Sequence, residues 1–552
     1  MASKLRRSWL SGAVIAVAAG LTTLTPAFAD TAPAAGNPQS GGTLTIALPF
    51  FPDEGLNPHH RGAISQTQVM RNVYDSLVAA DYDESFHPWL AESWTKSDDG
   101  LVYTFNLRQG VTFTDGEPFN AEAVKANFDR VIDGKYAPGA AKNTFRALAE
   151  TKVIDDHTVQ LTLKAPAANF LHTLASLEGS IVSPTSLENP GVRAGGVGIA
   201  GTGPFILTAV VPGQELVFKR NDGYTSPPAT AHHTGPAYLD ELVVKYVSEP
   251  SVRAGLLASG EVQAAVDIAP NDIDLFDGVD GFQYEFKGSN VAPTSLYFNT
   301  TSGPTQDVRV RRALQDAADV DAIVASVLKG TGERAWGIVQ PQSKFYDASV
   351  EKAYGGNVAR ANALLDEAGW TGRDAEGYRT DASGKRLTVR LIATTPKAPL
   401  DTVLAAYQAE LRRNVGVEVD LQFRDEGTVD KVREANAYEI FPRSVGGTDP
   451  GVILDKVYTK DGTVNGPRLD SPEVTAWLEE GRYALTDEAR KAAYDKIAQY
   501  VLIDHAITLP LYLDRYNVAA LDSVHDVTAF IDPPRGLLNG WAYNTWIDQQ
   551  SQ

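Results

Sequence analysis

The chain predicts a multidomain protein of the α/β class. At 552 residues it exceeds what one hydrophobic core holds, so two to four domains are expected. Its C-terminal half alternates short strand patterns with helix patterns: Leu387–Ala393 reads as strand, Leu400–Val415 as helix and Val417–Phe423 as strand. That order builds an α/β lobe. With 43% hydrophobic and 21% charged residues, the composition is that of a packed chain rather than a disordered one.

The N-terminus reads as a targeting segment. Lys4, Arg6 and Arg7 precede the apolar run Trp9–Leu21, and Ala27-Phe28-Ala29 has the form of a cleavage site, so residues 1–29 are expected to be a signal peptide. The run is too short to span a bilayer comfortably. Arg6-Arg7-Ser8-Trp9-Leu10 loosely resembles a twin-arginine signal, so Sec and twin-arginine export both stay open. Cleavage takes the net charge from -20 to -23. An acidic surface repels phosphate backbones and anionic lipid, which argues against nucleic-acid binding. The chain has no cysteine, which excludes disulfides, thiolate metal sites, cysteine nucleophiles and a lipid anchor on cysteine. A periplasmic, unlipidated protein is expected, with free secretion as the alternative.

Residues 30–42, rich in Ala, Pro, Gly and Ser, form a flexible leader. Thr43–Leu48 reads as a strand, Leu56–His59 as a loop and Gln66–Val78 as a helix. Val102–Leu107 alternates apolar and polar residues as a half-buried strand does. Asp115-Gly116 is a tight turn. Asn120 caps the next helix and places Glu122 in its positive first turn. A turn at Asp155-Asp156-His157 precedes the alternating strand Thr158–Leu163. After the glycine-rich loop Asn189–Gly198, Gly201-Thr202-Gly203-Pro204-Phe205 permits a sharp re-entry of the chain and lacks the Lys-Ser/Thr ending of a phosphate loop. Leu216–Lys219, Leu242–Val247 and Thr294–Asn299 read as strands, and Ser251–Ala258 as a helix. Asp307–Leu314 is a capped helix with the apolar face Val310, Ala313, Leu314 and Ala317, its arginines reading as surface ion-pair partners. Gly369 stops the helix Ala359–Trp370. Ser471–Asp487 and Glu488–Asp504 read as two helices, and Leu509–Tyr512 as a final return.

Between Ser97 and Asp133, Asp99-Gly100, Tyr103-Thr104-Phe105, Leu107-Arg108, Val111-Thr112-Phe113 and Asp115-Gly116-Glu117-Pro118-Phe119 stand at a telling spacing. This region resembles the signature of the peptide/nickel-type (family 5) extracellular solute-binding proteins of ABC importers, which include dipeptide- and oligopeptide-binding proteins. His87–Trp94, Gly201–Phe205, Asp307–Leu314 and Ala359–Trp370 resemble further family elements in the same order. The resemblance implies a periplasmic-binding-protein-like α/β fold of the large, class C type: two lobes with a ligand cleft between them and an extra inserted subdomain. On that pattern lobe I comprises residues 43–74, 200–288 and 511–552, the inserted subdomain 75–199, and lobe II 289–510. The chain would cross to lobe II between Tyr284 and Tyr297. The implied function is capture of a short peptide or peptide-like solute and its delivery to an ABC permease complex in the inner membrane. A monomer without cofactor is expected.

In the peptide binders of this family, a second-lobe loop carries an aspartate that pairs with the peptide amine. Phe441–Pro450 is the corresponding segment. Asp449-Pro450 lines up with the Asp-Pro of that loop, which puts Gly446 where the aspartate would stand. By this alignment the ammonium anchor is missing unless Asp449 substitutes for it; the alternative for Asp449 is a cap on the helix beginning at Pro450. Arg443 is the candidate for gripping a carboxylate or another anion, against an ordinary ion pair. Gly446 and Gly447 would let a ligand approach the backbone. Trp336 can stack on a ligand or pack structurally. His59 is at most a cleft-lining polar group. Tyr512 and Arg515 sit at the return crossing as hinge or cleft residues.

His59-His60 and His232-His233 raise a direct metal reading, but adjacent side chains in a strand point opposite ways, and no metal site is assigned. The missing anchor keeps a metal chelate, a sugar or an opine-like solute as the alternative ligand. A secreted hydrolase is the third reading. Asp98-Asp99 and Asp155-Asp156 are acid pairs, yet no Gly-x-Ser-x-Gly elbow or His-Glu-x-x-His helix occurs, and the chain reads as non-enzymatic.

Overall fold

The computed structural model describes residues 37–549 except 53–54, 60–65, 67, 82–84, 134–141, 143, 289–291, 395–398, 447–448 and 532–540. The expected signal peptide, most of the leader, His60 and Gly447 lie outside the described residues. Residues from Pro38 onward form one compact unit.

Its spine is a twelve-stranded sheet. In one half, Thr43–Leu48 pairs in parallel with Glu241–Tyr246 and Ala264–Val266, and Glu215–Arg220 and Phe205–Val211 extend the edge. In the other half, Thr388–Thr394 pairs in parallel with Glu418–Arg424 and Ile440–Arg443, and the latter pairs with Thr294–Phe298. The 14-residue strand Thr508–Leu521 joins the halves. Its first residues pair with Thr294–Phe298 and its later ones with Phe282–Gly288 and Ala264–Val266. Two sets of antiparallel strands therefore carry the chain between lobes: Phe282–Gly288 and Thr294–Phe298 outward, and Thr508–Leu521 back. Each half has its own apolar core, with Leu391, Leu404 and Leu509 fully buried in one and Ile46, Phe218 and Leu242 in the other.

A separate four-stranded antiparallel sheet runs in the order Ala91–Lys96, Val102–Leu107, Thr158–Leu163, Leu148–Asp155. Alternation builds it: Tyr103, Phe105 and Leu107 turn inward while Asn106 is exposed. The helix Ala121–Asp133 covers it with Val124, Phe128 and Val131. Asn120 caps that helix, its Oδ1 accepting from the Ala123 amide at 2.9 Å. Chain re-entry into the main sheet depends on Gly201 and Gly203. A Cβ at either would meet the Val73 carbonyl, at 2.0 Å and 2.7 Å respectively, so close backbone approach is what requires glycine here.

Three expectations need correction. The helix expected over Gln66–Val78 does not run through: among its described residues Gln66 is helical, Met70–Asn72 is a 3-10 turn, and the strand Val78–Ala80 follows. Its polar residues bond outward: Gln66 donates to the Gly55 carbonyl at 2.6 Å, and Arg71 donates to Ser76 Oγ at 2.7 Å and the Ala175 carbonyl at 2.5 Å. These tertiary bonds override local helix preference. Arg311, expected at the surface, is buried and donates to the carbonyls of Thr305, Gln306 and His505, while Arg309 does pair at the surface with Asp307. The late helices are Pro472–Tyr483 and Asp487–Ala498. The break falls at Ala484–Thr486 because Thr486 Oγ1 accepts from the Ala489 amide and starts the second helix.

Candidate functional site

Strand register locates the site. Ala264–Val266 runs antiparallel to the long strand, with Ala264 opposite Ala520 and Val266 opposite Val518. The carboxyl ends of the lobe I parallel strands therefore point along it toward lobe II. In lobe II, Phe298 lies opposite Ile440 and Ser295 opposite Arg443, while Tyr297 lies opposite Thr508 and Thr294 opposite Tyr512. The carboxyl end of Ile440–Arg443 thus points toward lobe I. Both sets of carboxyl ends converge on the crossing strands, the position at which open α/β sheets place ligands.

Arg443 ends its strand on this edge. It is 40% exposed, and its Nη1 lies 3.1 Å from Glu426 Oε1. Beyond it, Ser444 Oγ donates to the Ala292 carbonyl and the Ala292 amide donates to the Val445 carbonyl, each at 3.1 Å. The loop is thereby stitched to the outward crossing. Gly446 follows, its carbonyl accepting from Lys456 Nζ at 2.9 Å.

Asp449 is engaged on every side. It caps the helix Pro450–Tyr458, accepting from the amides of Gly451 at 2.9 Å and Val452 at 3.3 Å. Arg490 reaches both of its oxygens. Burial pushes the Asp449 carboxyl up, but Arg490 leads the groups that outweigh burial and hold it below the usual carboxylate range.

The remaining candidates are spread out. Trp336 is half-buried, with the Arg334 guanidinium 4.1 Å from its ring centroid and the Tyr354 hydroxyl donating to its carbonyl. Tyr512 is buried within the long strand, opposite Arg334 and Thr294. Arg515 pairs with Glu333 at 3.1 Å and covers Phe286. His59 is fully buried, and its Nε2 donates to the Ser180 carbonyl at 3.1 Å. Burial lowers its pKa to about 4, so the ring is neutral near pH 7. Register thus brings Arg443, Gly446 and Tyr512 to the crossing, while Asp449 belongs to a buried ion pair and His59 to a buried loop.

The lobe I edge holds residues that the strand pattern did not single out. Tyr246 ends its parallel strand and meets Phe51 edge-on, ring centroids 5.0 Å apart. Among the described residues its buried hydroxyl has no hydrogen-bond partner, and burial raises its pKa. The sequence signal was an aromatic residue at the carboxyl end of an alternating strand. Among the described residues, no group of three or more His, Cys, Asp or Glu could hold a metal ion, and no helix is long and apolar enough to cross a membrane.

Comparison with known proteins agrees with this architecture. NikA from Brucella suis, solved in complex with Fe(III)-EDTA, superposes with a TM-score of 0.81 at 27% identity, over 92% of this chain and 100% of that one. Protein XP55 of Streptomyces lividans is 29% identical over 81% of this chain and 80% of its own length. The glutathione-binding protein GsiB of Escherichia coli K12 is 31% identical over 57% of this chain and 59% of its own length. Residues 85–464 match the model of the bacterial extracellular solute-binding proteins, family 5. A match of that extent, on a two-lobed α/β frame with its strand ends facing across a cleft, makes this chain a member of the family 5 solute-binding proteins that serve ABC importers.

Proposed function

We propose that this protein captures a short peptide or peptide-like solute between its lobes and hands it to an ABC permease complex in the inner membrane. It acts as an exported, unlipidated monomer and catalyses no reaction. The observation that carries the reading is the convergence of both lobes' strand ends on the crossing strands. A solute held there touches both lobes, and its greater affinity for the closed arrangement drives closure.

The edges supply complementary chemistry. Glu426, the partner of Arg443, is 65% exposed, so a ligand carboxylate displaces it with little loss. Tyr246 offers a hydroxyl that no described residue engages, beside the ring of Phe51. A peptide brings a carboxylate, polar backbone groups and apolar side chains to match. The glutathione-binding relative supports a peptide-like solute. The Brucella structure supports a second reading, a carboxylate-bearing metal chelate, which Arg443 suits equally. The domain limits belong to the same proposal, 75–199 for the inserted subdomain and 289–510 for lobe II, and the separate apolar cores spanning Leu77 to Ala200 and Ala292 to Tyr512 support them.

Native mass spectrometry of the mature protein, purified gently from its own host, tests this. The expected result is an added peptide mass that is lost on denaturation. A co-purifying chelate or sugar overturns the peptide assignment, and turnover of ester, peptide or glycoside substrates overturns the non-catalytic one.

A further inference from the structure

Two tight turns meet tip to tip where the four-stranded subdomain faces lobe II. One is Ser97–Gly100, closed by the Gly100 amide donating to the Ser97 carbonyl at 2.9 Å and by Asp99 Oδ1 accepting from the Leu101 amide at 3.1 Å. The other is Ala484-Leu485-Thr486, the link between the helices Pro472–Tyr483 and Asp487–Ala498. Leu485 lies over Gly100 so closely that a Cβ there would stand 2.9 Å from Leu485 Cδ2. Beside this contact the Ala168 amide donates to the Arg482 carbonyl at 3.0 Å, and Lys96 Nζ reaches the Leu485 carbonyl at 3.5 Å. The Arg482 side chain is held in turn by Asp455 at 2.6 Å.

The subdomain sheet shares no strand with the twelve-stranded sheet, and the chain passes between the lobes along the crossing strands. Contacts at this seam therefore report the angle between the lobes. A rotation about the crossing separates Leu485 from Gly100 while leaving each core intact. The seam is also loosely packed. A cavity of about 300 Å³ lies beside Leu485, lined among others by Phe86, Trp94, Tyr103 and Leu171. A contact of this kind can hold the lobes together and still release them, whereas a close-packed interface would lock them.

We propose that Leu485, seated on Gly100, is a positioning residue for solute capture. The turn-to-turn contact, with the Ala168–Arg482 hydrogen bond, holds the lobes at the closed angle without touching the solute. The consequence for affinity rests on the capture reading; the contact itself is tested without any solute.

The test uses the full mature chain carrying Leu485→Asp. Leu485 is 50% exposed, so the fold tolerates the change. In solute-free protein, the Ala168 amide exchanges at least roughly tenfold faster in the variant, and small-angle scattering gives a larger radius of gyration. The thermal midpoint and the exchange of the central subdomain strand Thr158–Leu163 stay as in the wild type, and Leu485→Met restores Ala168 protection. Equal Ala168 exchange in wild type and Leu485→Asp overturns the proposal. For a solute that co-purifies, Leu485→Asp binds at least about tenfold more weakly; equal affinity in a protein that scatters as open overturns the positioning role while the capture reading stands. Absence of any solute counts against the capture reading alone, and the Ala168 exchange rates then decide whether the seam holds the lobes.

Discussion

Both carboxylate oxygens of Asp449 lie 2.5 Å from Nη2 of Arg490, and the two side chains are 1% and 4% exposed. The guanidinium is further enclosed by the rings of Phe345 and Tyr494, 4.7 and 5.4 Å away. A pair this buried leaves an uncompensated charge when one partner is removed. Asp449→Asn keeps an acceptor for the helix cap but strands the Arg490 charge, and is therefore expected to cost about 3–5 kcal/mol. Urea denaturation checks it, and a loss below about 1 kcal/mol would show that the pair is solvated rather than sealed.

Arg443 presents the opposite case. Its bridge to Glu426 is solvent-exposed on both sides, at 40% and 65%, and bridges of that kind contribute at most about 1 kcal/mol. Arg443→Ala should leave the thermal midpoint nearly unchanged while weakening binding of the co-purifying solute at least about tenfold. Isothermal titration calorimetry against the solute identified by mass spectrometry decides this. Unaltered affinity removes Arg443 from the ligand contacts.

The contrast between these two residues shows where sequence reading reaches its limit. The strand Val102–Leu107, the cap at Asn120 and the stop at Gly369 were legible because each is set by residues within a few positions. The family pattern then carried the two-lobed architecture. Arg490 stands 41 residues from Asp449 on another helix, and nothing local announces the pairing. The expected helix at Gln66–Val78 failed for a related reason: Arg71 and Asn72 are spent on distant partners, with Arg71 donating to Ser180 and the Ala542 amide donating to Asn72 Oδ1. At the site itself, Arg443 was named from residue chemistry, whereas Tyr246 required the register that turns its strand end toward the cleft.

Buried ionisable groups give the stability a definite pH profile. Burial lowers His59 and His172 to about 4 from an unfolded value of 6.5. Between those values the unfolded chain binds protons that the folded one refuses, so stability is full above 6.5 and is lost as pH falls toward 4. Each histidine contributes up to ~3 kcal/mol of that loss. Asp75 works the other way. Burial raises it to about 7 from 3.8, against the hydroxyls of Ser226, Thr202 and Tyr224 and the charge of Arg71, so its contribution grows as pH falls from 7. Two histidines outweigh one aspartate below 6.5, and stability should peak near neutrality. Denaturant titrations from pH 4 to 8 are expected to show a shallower acid decline for His172→Gln than for wild type, and a steeper one for Asp75→Asn. The reverse order would show that burial does not govern these groups.

The hydroxyl of Tyr246 separates a functional role from a structural one by sign. A buried hydroxyl without a partner costs the folded state about 1–3 kcal/mol, and among the described residues no group meets this one. Removing it with Tyr246→Phe keeps the ring against Phe51 and deletes the unmet group, so the solute-free protein should gain roughly 1 kcal/mol. If the oxygen is there to meet a solute, the same change costs the complex a buried hydrogen bond and weakens binding by roughly tenfold. A purely structural tyrosine would not give both shifts together. Paired measurement of solute-free stability and solute affinity for this one variant therefore decides the matter. A stabilised protein with unchanged affinity would leave the Tyr246 hydroxyl outside the site, and a destabilised one would show that it already has a partner.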